Sequence, residues 1–204
     1  MAPIVDDPQQ YFRRLIPARE PLLADLEAKA QQEGIPIVGP LVGELLFVLA
    51  RAVRAVRILE LGTATGYSAI YLARACQPFN GQVVTLESDR SMADQARTNF
   101  AKAGVEQQIS IRFGDALQQI AVMDERYDMI FVDIDKKDYL RVLPDCRRLL
   151  RQGGLLVADN VGFKDAHEFN QEIATSPHWQ SVSFFSFLPF HSPEHDALCL
   201  ALRI

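Results

Sequence analysis

The hydrophobic rhythm of the chain changes near residue 56. Before that point apolar residues recur at helical spacing. Leu22, Leu23, Leu26 and Ala30 share one face, and Gly34 is placed to stop that helix. Pro36 and Pro40 bracket a short extended piece, Ile37-Val38, and Leu41, Leu45, Leu46, Val48, Leu49 and Val53 predict a second helix. From Val56 onward short apolar runs alternate with amphipathic ones. Strands are expected over 56–61, 83–87, 109–113, 128–133 and 154–159, with helices over 67–76, 91–103, 116–122 and 138–150. Asp89 is placed to cap the helix near Ser91, and Gly153-Gly154 to end the helix before the fifth run. This alternation implies parallel strands joined by crossover helices, a doubly wound α/β sheet. Met129-Ile130-Phe131-Val132 and Leu155-Leu156-Val157-Ala158 are apolar at consecutive positions, as strands covered on both faces require. After a helix near 165–175, runs over 181–187 and 197–202 have no helix between them and predict an antiparallel pair.

Composition narrows the picture only modestly. The chain has 204 residues, enough for one domain with a substantial core, and no repeat or linker divides it. We expect helices over 1–54 and a sheet core over 55–204. A net charge of −5 without a basic run disfavours nucleic acid held through phosphates. No apolar run approaches the roughly 20 residues that span a bilayer. Met1-Ala2-Pro3-Ile4-Val5-Asp6-Asp7 lacks the basic start of a secretion signal. Cys76, Cys146 and Cys199 have neither metal spacing nor an even count, which points to reduced thiols in a cytoplasmic protein.

The first candidate chemistry is Glu60-Leu61-Gly62-Thr63-Ala64-Thr65-Gly66-Tyr67-Ser68, a strand end, a glycine loop and a helix start. Glycines let backbone approach a ligand closely. Glu87 ends the next strand, where an acid can bond both hydroxyls of a ribose. Ala64 replaces the middle glycine of the G-x-G-x-x-G turn that cradles a pyrophosphate. Gly62 and Gly66 alone suit an adenosine ligand bearing an amino acid, namely S-adenosylmethionine (SAM). Its carboxylate would meet the helix start at Tyr67-Ser68, and Glu60 would favour its cationic end. Asp115, after Gly114, either contacts the adenine or caps the next helix.

The second candidate lies on strands four and five. Their carboxyl ends carry Asp133 and Asp159-Asn160, side by side in an open α/β sheet. Three hard oxygen donors without His or Cys select Mg²⁺, or Mn²⁺ or Ca²⁺, over zinc. Each residue alone would read as a cap or a turn. Lys136 follows Asp133 by three residues; beside a cation its ammonium is disfavoured, so it is the candidate general base. His167, His178, His191 and His195 share no spacing that would build a metal site or a triad; His191 and His195 flank the prolines before the last strand, where loop solvation is the preferred reading and contact with a substrate the alternative.

At these residues the chain resembles the cation-dependent O-methyltransferases of the catechol and caffeoyl-CoA type, from about Val38 to the C-terminus. The motifs are Glu60 to Ser68, Phe131-Val132-Asp133-Ile134-Asp135-Lys136 and Asp159-Asn160. The resemblance implies a Rossmann-like, seven-stranded methyltransferase sheet and a homodimer. It implies SAM contacts at Val38, Gly43, Glu60, Gly62, Ser68, Glu87 and Ala116, a metal at Asp133, Asp159 and Asn160, and Lys136 as base. Its substrate would be a small hydroxylated molecule, such as a catechol or other phenol. The short segment after Asn160, His195-Asp196 in place of the glycine-rich turn of plant-type members, and the N-terminal segment depart from the family's pattern. Two rivals are a SAM-binding module without catalysis, and a nicotinamide-dependent oxidoreductase, which Ala64 weakens.

Overall fold

The computed structural model describes residues 5–204; Met1 to Ile4, part of the segment expected to lack a secretion signal, lie outside the described residues. Among the described residues three helices precede the sheet: α1 (Pro8–Arg13), α2 (Pro21–Glu33) and α3 (Gly39–Ala52). Gly34 ends α2 in the left-handed conformation, as its position predicts. Pro40 lies in the first turn of α3 rather than bracketing an extended piece. That is the helical position where a missing N–H costs nothing.

The strands are β1 (Arg57–Leu61), β2 (Gln82–Glu87), β3 (Ile109–Phe113), β4 (Tyr127–Val132), β5 (Leu150–Ala158), β6 (Trp179–Phe187) and β7 (His195–Arg203). Between them run α4 (Tyr67–Cys76), α5 (Arg90–Ala103), α6 (Ala116–Ala121), α7 (Tyr139–Leu149) and α8 (His167–Thr175). The sheet order is β3-β2-β1-β4-β5-β7-β6. Strands β1 to β5 pair in parallel, and β7 runs antiparallel to both β5 and β6.

Consecutive apolar residues serve two cores. Met129, Phe131, Leu155 and Val157 face α3 and α4, packing with Leu46 and Ile70. Ile130, Val132, Leu156 and Ala158 face the other way, packing with Val142, Cys146 and Phe169. A strand in the middle of such a sheet has no polar face to keep.

One punctuation mark reads differently. Gly153-Gly154 does not end α7; Leu150 closes that helix in an extended conformation and begins β5 at once. Two steps along β4, Tyr127 to Met129, match five along β5, Leu150 to Leu155. Gly153, at φ +70°, takes up the extra chain in this irregularity.

Candidate active site

The chain leaves β1 for β2 and β3 on one side of the sheet and reaches β4 and β5 on the other. This reversal opens a crevice at the carboxyl ends of the strands. A cavity of about 340 Å³ fills it, lined by Val38, Gly62, Ser68, Glu87, Ala116, Asp133, Lys136, Asp159 and Asn160 among others. The tips are tied together: Asp133 N–H donates to Leu61 O at 2.9 Å, and Asp159 N–H to Val132 O at 3.0 Å.

The glycine loop is held by close packing and by Glu87. A Cβ on Gly62, at φ +96°, would collide with the Asp133 carbonyl oxygen. Glu87 Oε2 accepts from Thr63 N–H at 3.2 Å and Ala64 N–H at 2.7 Å, and Oε1 accepts from Asp89 N–H at 2.8 Å. Glu87 therefore anchors the loop while also facing the cavity. Among the described residues no side chain caps α4, and Tyr67 and Ser68 at its start line the cavity, leaving helix N–H groups for a ligand carboxylate.

Other expected contacts lie behind the wall. Glu60 is fully buried; Thr85 Oγ donates to its Oε2 at 2.6 Å, and among the described residues Oε1 has no hydrogen-bond partner. Burial pushes its pKa up to about 8; the Ser68 and Thr85 hydroxyls pull against that shift, and the charges of Asp133 and Glu87 add to it. Gly66 faces the Phe100 ring, and Asp115 caps α6 by accepting from Gln118 N–H at 3.0 Å. The Asp115 side chain thus takes the capping alternative, while Gly114 and Ala116 on either side line the cavity. Gly43 does not border the cavity; a Cβ there would lie 2.6 Å from the Tyr71 ring, so this glycine serves helix packing.

The oxygen donors converge as their strand positions predict. Val132 pairs with Ala158, so Asp133 and Asp159 emerge side by side. Lys136 Nζ is 2.9 Å from Asp133 Oδ1. Burial raises the Asp133 pKa, the Asp159 charge raises it further, and Lys136 opposes both. Asn160 sits at φ +51°, a conformation Asn tolerates better than most residues. Among the described residues no three His, Cys, Asp or Glu side chains gather to hold a metal by themselves. A cation here needs the Asn160 amide oxygen beside the two carboxylates, and that all-oxygen set fits a hard divalent ion.

The sequence reading missed His191. Its side chain is 1% exposed, not solvated, with Nε2 at 3.0 and 2.9 Å from the two Asp159 oxygens. Nδ1–H donates to Pro193 O at 2.7 Å. Burial works against charging the ring, but Asp159 outweighs it and the pKa moves up. Asp159 lies 32 residues away in sequence, so no local pattern reveals the pair. His191, with Pro36, Ile37 and Ser192, also walls a second cavity of about 520 Å³ lined by Arg19, Glu27 and Phe190. His195 instead begins β7 and is exposed.

A parallel sheet with a closing antiparallel pair, a glycine loop and acidic strand tips defines an α/β enzyme built around an adenosine ligand. The comparisons agree in both sequence and fold. The O-methyltransferase family profile matches residues 18–177, and the chain belongs to that family. It is 34% identical to a catechol O-methyltransferase of Niastella koreensis, over 98% of this chain and 91% of that protein. The O-methyltransferase TomG of Streptomyces achromogenes, solved in complex with SAM, superposes with a TM-score of 0.85 at 31% identity, covering 96% and 95% of the two chains. Cofactor-bound Rv0187 from MTB gives 0.86 at 29% identity, covering 100% and 99%.

Proposed function

We propose that this SAM-dependent O-methyltransferase uses a divalent cation, Mg²⁺ or alternatively Mn²⁺ or Ca²⁺, and methylates a small catechol-like or phenolic acceptor. The observation that carries this reading is the convergence of Asp133, Asp159, Asn160 and Lys136 on one cavity with the glycine loop. SAM supplies the methyl group, and a bound cation supplies Lewis acidity that lowers the acceptor hydroxyl's pKa. Asp133, Asp159 and the Asn160 amide oxygen would hold the cation. Lys136 Nζ, steered into the site by Asp133, would take the hydroxyl proton. Glu87 and the uncapped start of α4 would hold the donor's ribose and carboxylate. The adjoining cavity behind His191 would receive the non-reacting part of the acceptor. No covalent enzyme intermediate is required, so the protein's contribution is positioning and electrostatics.

The buried, free thiols of Cys76, Cys146 and Cys199 fit a cytoplasmic setting, and a homodimer is the assembly we expect. Among the described residues no helix is long and apolar enough to cross a membrane.

Methyl transfer from labelled SAM to a panel of catechols, with Mg²⁺ and with EDTA, tests the reading. Activity should require the metal, and Lys136→Ala should lower turnover while leaving SAM affinity nearly unchanged. Full activity in EDTA rejects the cation role. SAM binding without turnover or metal affinity favours a non-catalytic binding module.

A further inference from the structure

Asn160 is the least secure member of the proposed cation site. An amide has two ends of similar shape, and only its oxygen can bind a cation. Asp159, by contrast, presents an oxygen at either end. Something must decide which way the Asn160 amide faces.

The deciding contacts come from β7 and the turn before it. Asn160 Nδ2 donates to Asp196 Oδ2 at 2.6 Å and to Ser192 O at 3.3 Å. Both amide hydrogens are thereby committed, and no donor meets Oδ1 among the described residues. Asp196 is itself fixed and 2% exposed. Its Oδ1 accepts from Gly162 N–H at 3.1 Å and from Ala197 N–H at 2.6 Å. Three donors converge on two oxygens, which suits an acceptor-only carboxylate. Gly162 makes the approach possible, because a Cβ there would lie 2.5 Å from Asp196 Oδ1.

We propose that Asp196 is a positioning residue that locks the Asn160 amide with its oxygen toward the cation site. This rests on the cation reading above. Asp196 touches neither the reacting atoms nor, in this proposal, the metal; it acts through Asn160.

The test is Mn²⁺ affinity, read from the free-ion electron paramagnetic resonance signal without any turnover. Asp196→Asn preserves shape but can donate its own amide hydrogens to Asn160 Oδ1, turning that oxygen away from the site. Mn²⁺ affinity should fall roughly 10- to 100-fold, the range seen when outer partners of metal ligands are removed. Binding of S-adenosylhomocysteine, measured by calorimetry, should be retained. The exchanged pair Asn160→Asp with Asp196→Asn should recover most of the Mn²⁺ affinity. In it the carboxylate on the β5 side accepts from the amide on the β7 side and still presents an oxygen to the ion. A merely structural role for Asp196 does not predict that rescue. Wild-type affinity in Asp196→Asn, or no recovery in a folded exchanged pair, overturns the inference. Absence of Mn²⁺ binding by the wild type overturns the cation reading and this inference with it. Should Asp196→Asn fail to fold, Gly162→Ala carries the same test: it displaces Asp196 and should weaken Mn²⁺, and unchanged affinity overturns the proposal.

Discussion

Glu60 sits where a carboxylate is expensive: fully buried, with Oε1 unpartnered among the described residues. Its pKa of about 8 is far above the usual carboxylate value of about 4.3. The sign of the consequence is fixed by linkage. Between those two values the folded state keeps the proton while the unfolded chain has released it. Stability should therefore be highest at or below about pH 4 as far as this group is concerned, and should fall as pH rises toward 8. The full penalty is on the order of a few kcal/mol. Glu60→Gln should flatten this dependence, so its advantage over the wild type in urea melts should be larger at about pH 8 than at about pH 5. Equal advantage at both values would mean that Glu60 titrates normally. The sequence made Glu60 visible as the acid near the end of β1, because the strand pattern is local. It did not reveal that Glu60 lies behind the cavity wall, nor that His191 meets Asp159. Those facts depend on how a loop before β7 folds back across the tips of β4 and β5.

At the level of elements, the strand and helix pattern was legible because each central strand must be apolar on both faces and each crossover helix on one. The irregularity at Gly153 was not, because a glycine before a strand looks the same whether it ends a helix or absorbs a register slip. The most tightly constrained junction is where the loop after β1 meets the end of β4. Gly62 combines a positive φ with backbone contact to Asp133, so the neighbour cannot rotate away. Gly62→Ala should destabilise the fold by about 2–4 kcal/mol, from backbone strain and overpacking together. It should also displace Asp133 and weaken Mn²⁺ and S-adenosylhomocysteine binding together. A denaturation midpoint within error of the wild type would show that the two strand tips are not in the contact described.

Across the whole molecule, the cavity draws on widely separated pieces of chain: Pro36 to Val38 before α3, the loop after β1, Glu87-Ser88, Gly114 and Ala116, Asp133 to Lys136, Asp159-Asn160 and His191-Ser192. A ligand seated there bridges the N-terminal helices, the centre of the sheet and the turn before β7. Mass action and this connectivity each have a measurable consequence. S-adenosylhomocysteine at about 100 times its Kd should add about 2.7 kcal/mol to stability, provided it binds only the folded chain. For a protein of this size that raises Tm by about 5–10 °C. Hydrogen exchange should slow not only in the loop after β1 but also near residues 36–43 and 188–192, which are distant in sequence and meet at Gly39. A Cβ on Gly39 would lie 2.7 Å from Phe190 O, so these two segments are already in close contact and ordering one should order the other. Protection confined to residues 62–88 would mean that the donor engages the glycine loop and Glu87 alone. The N-terminal helices would then be a cover for the core rather than part of the binding site.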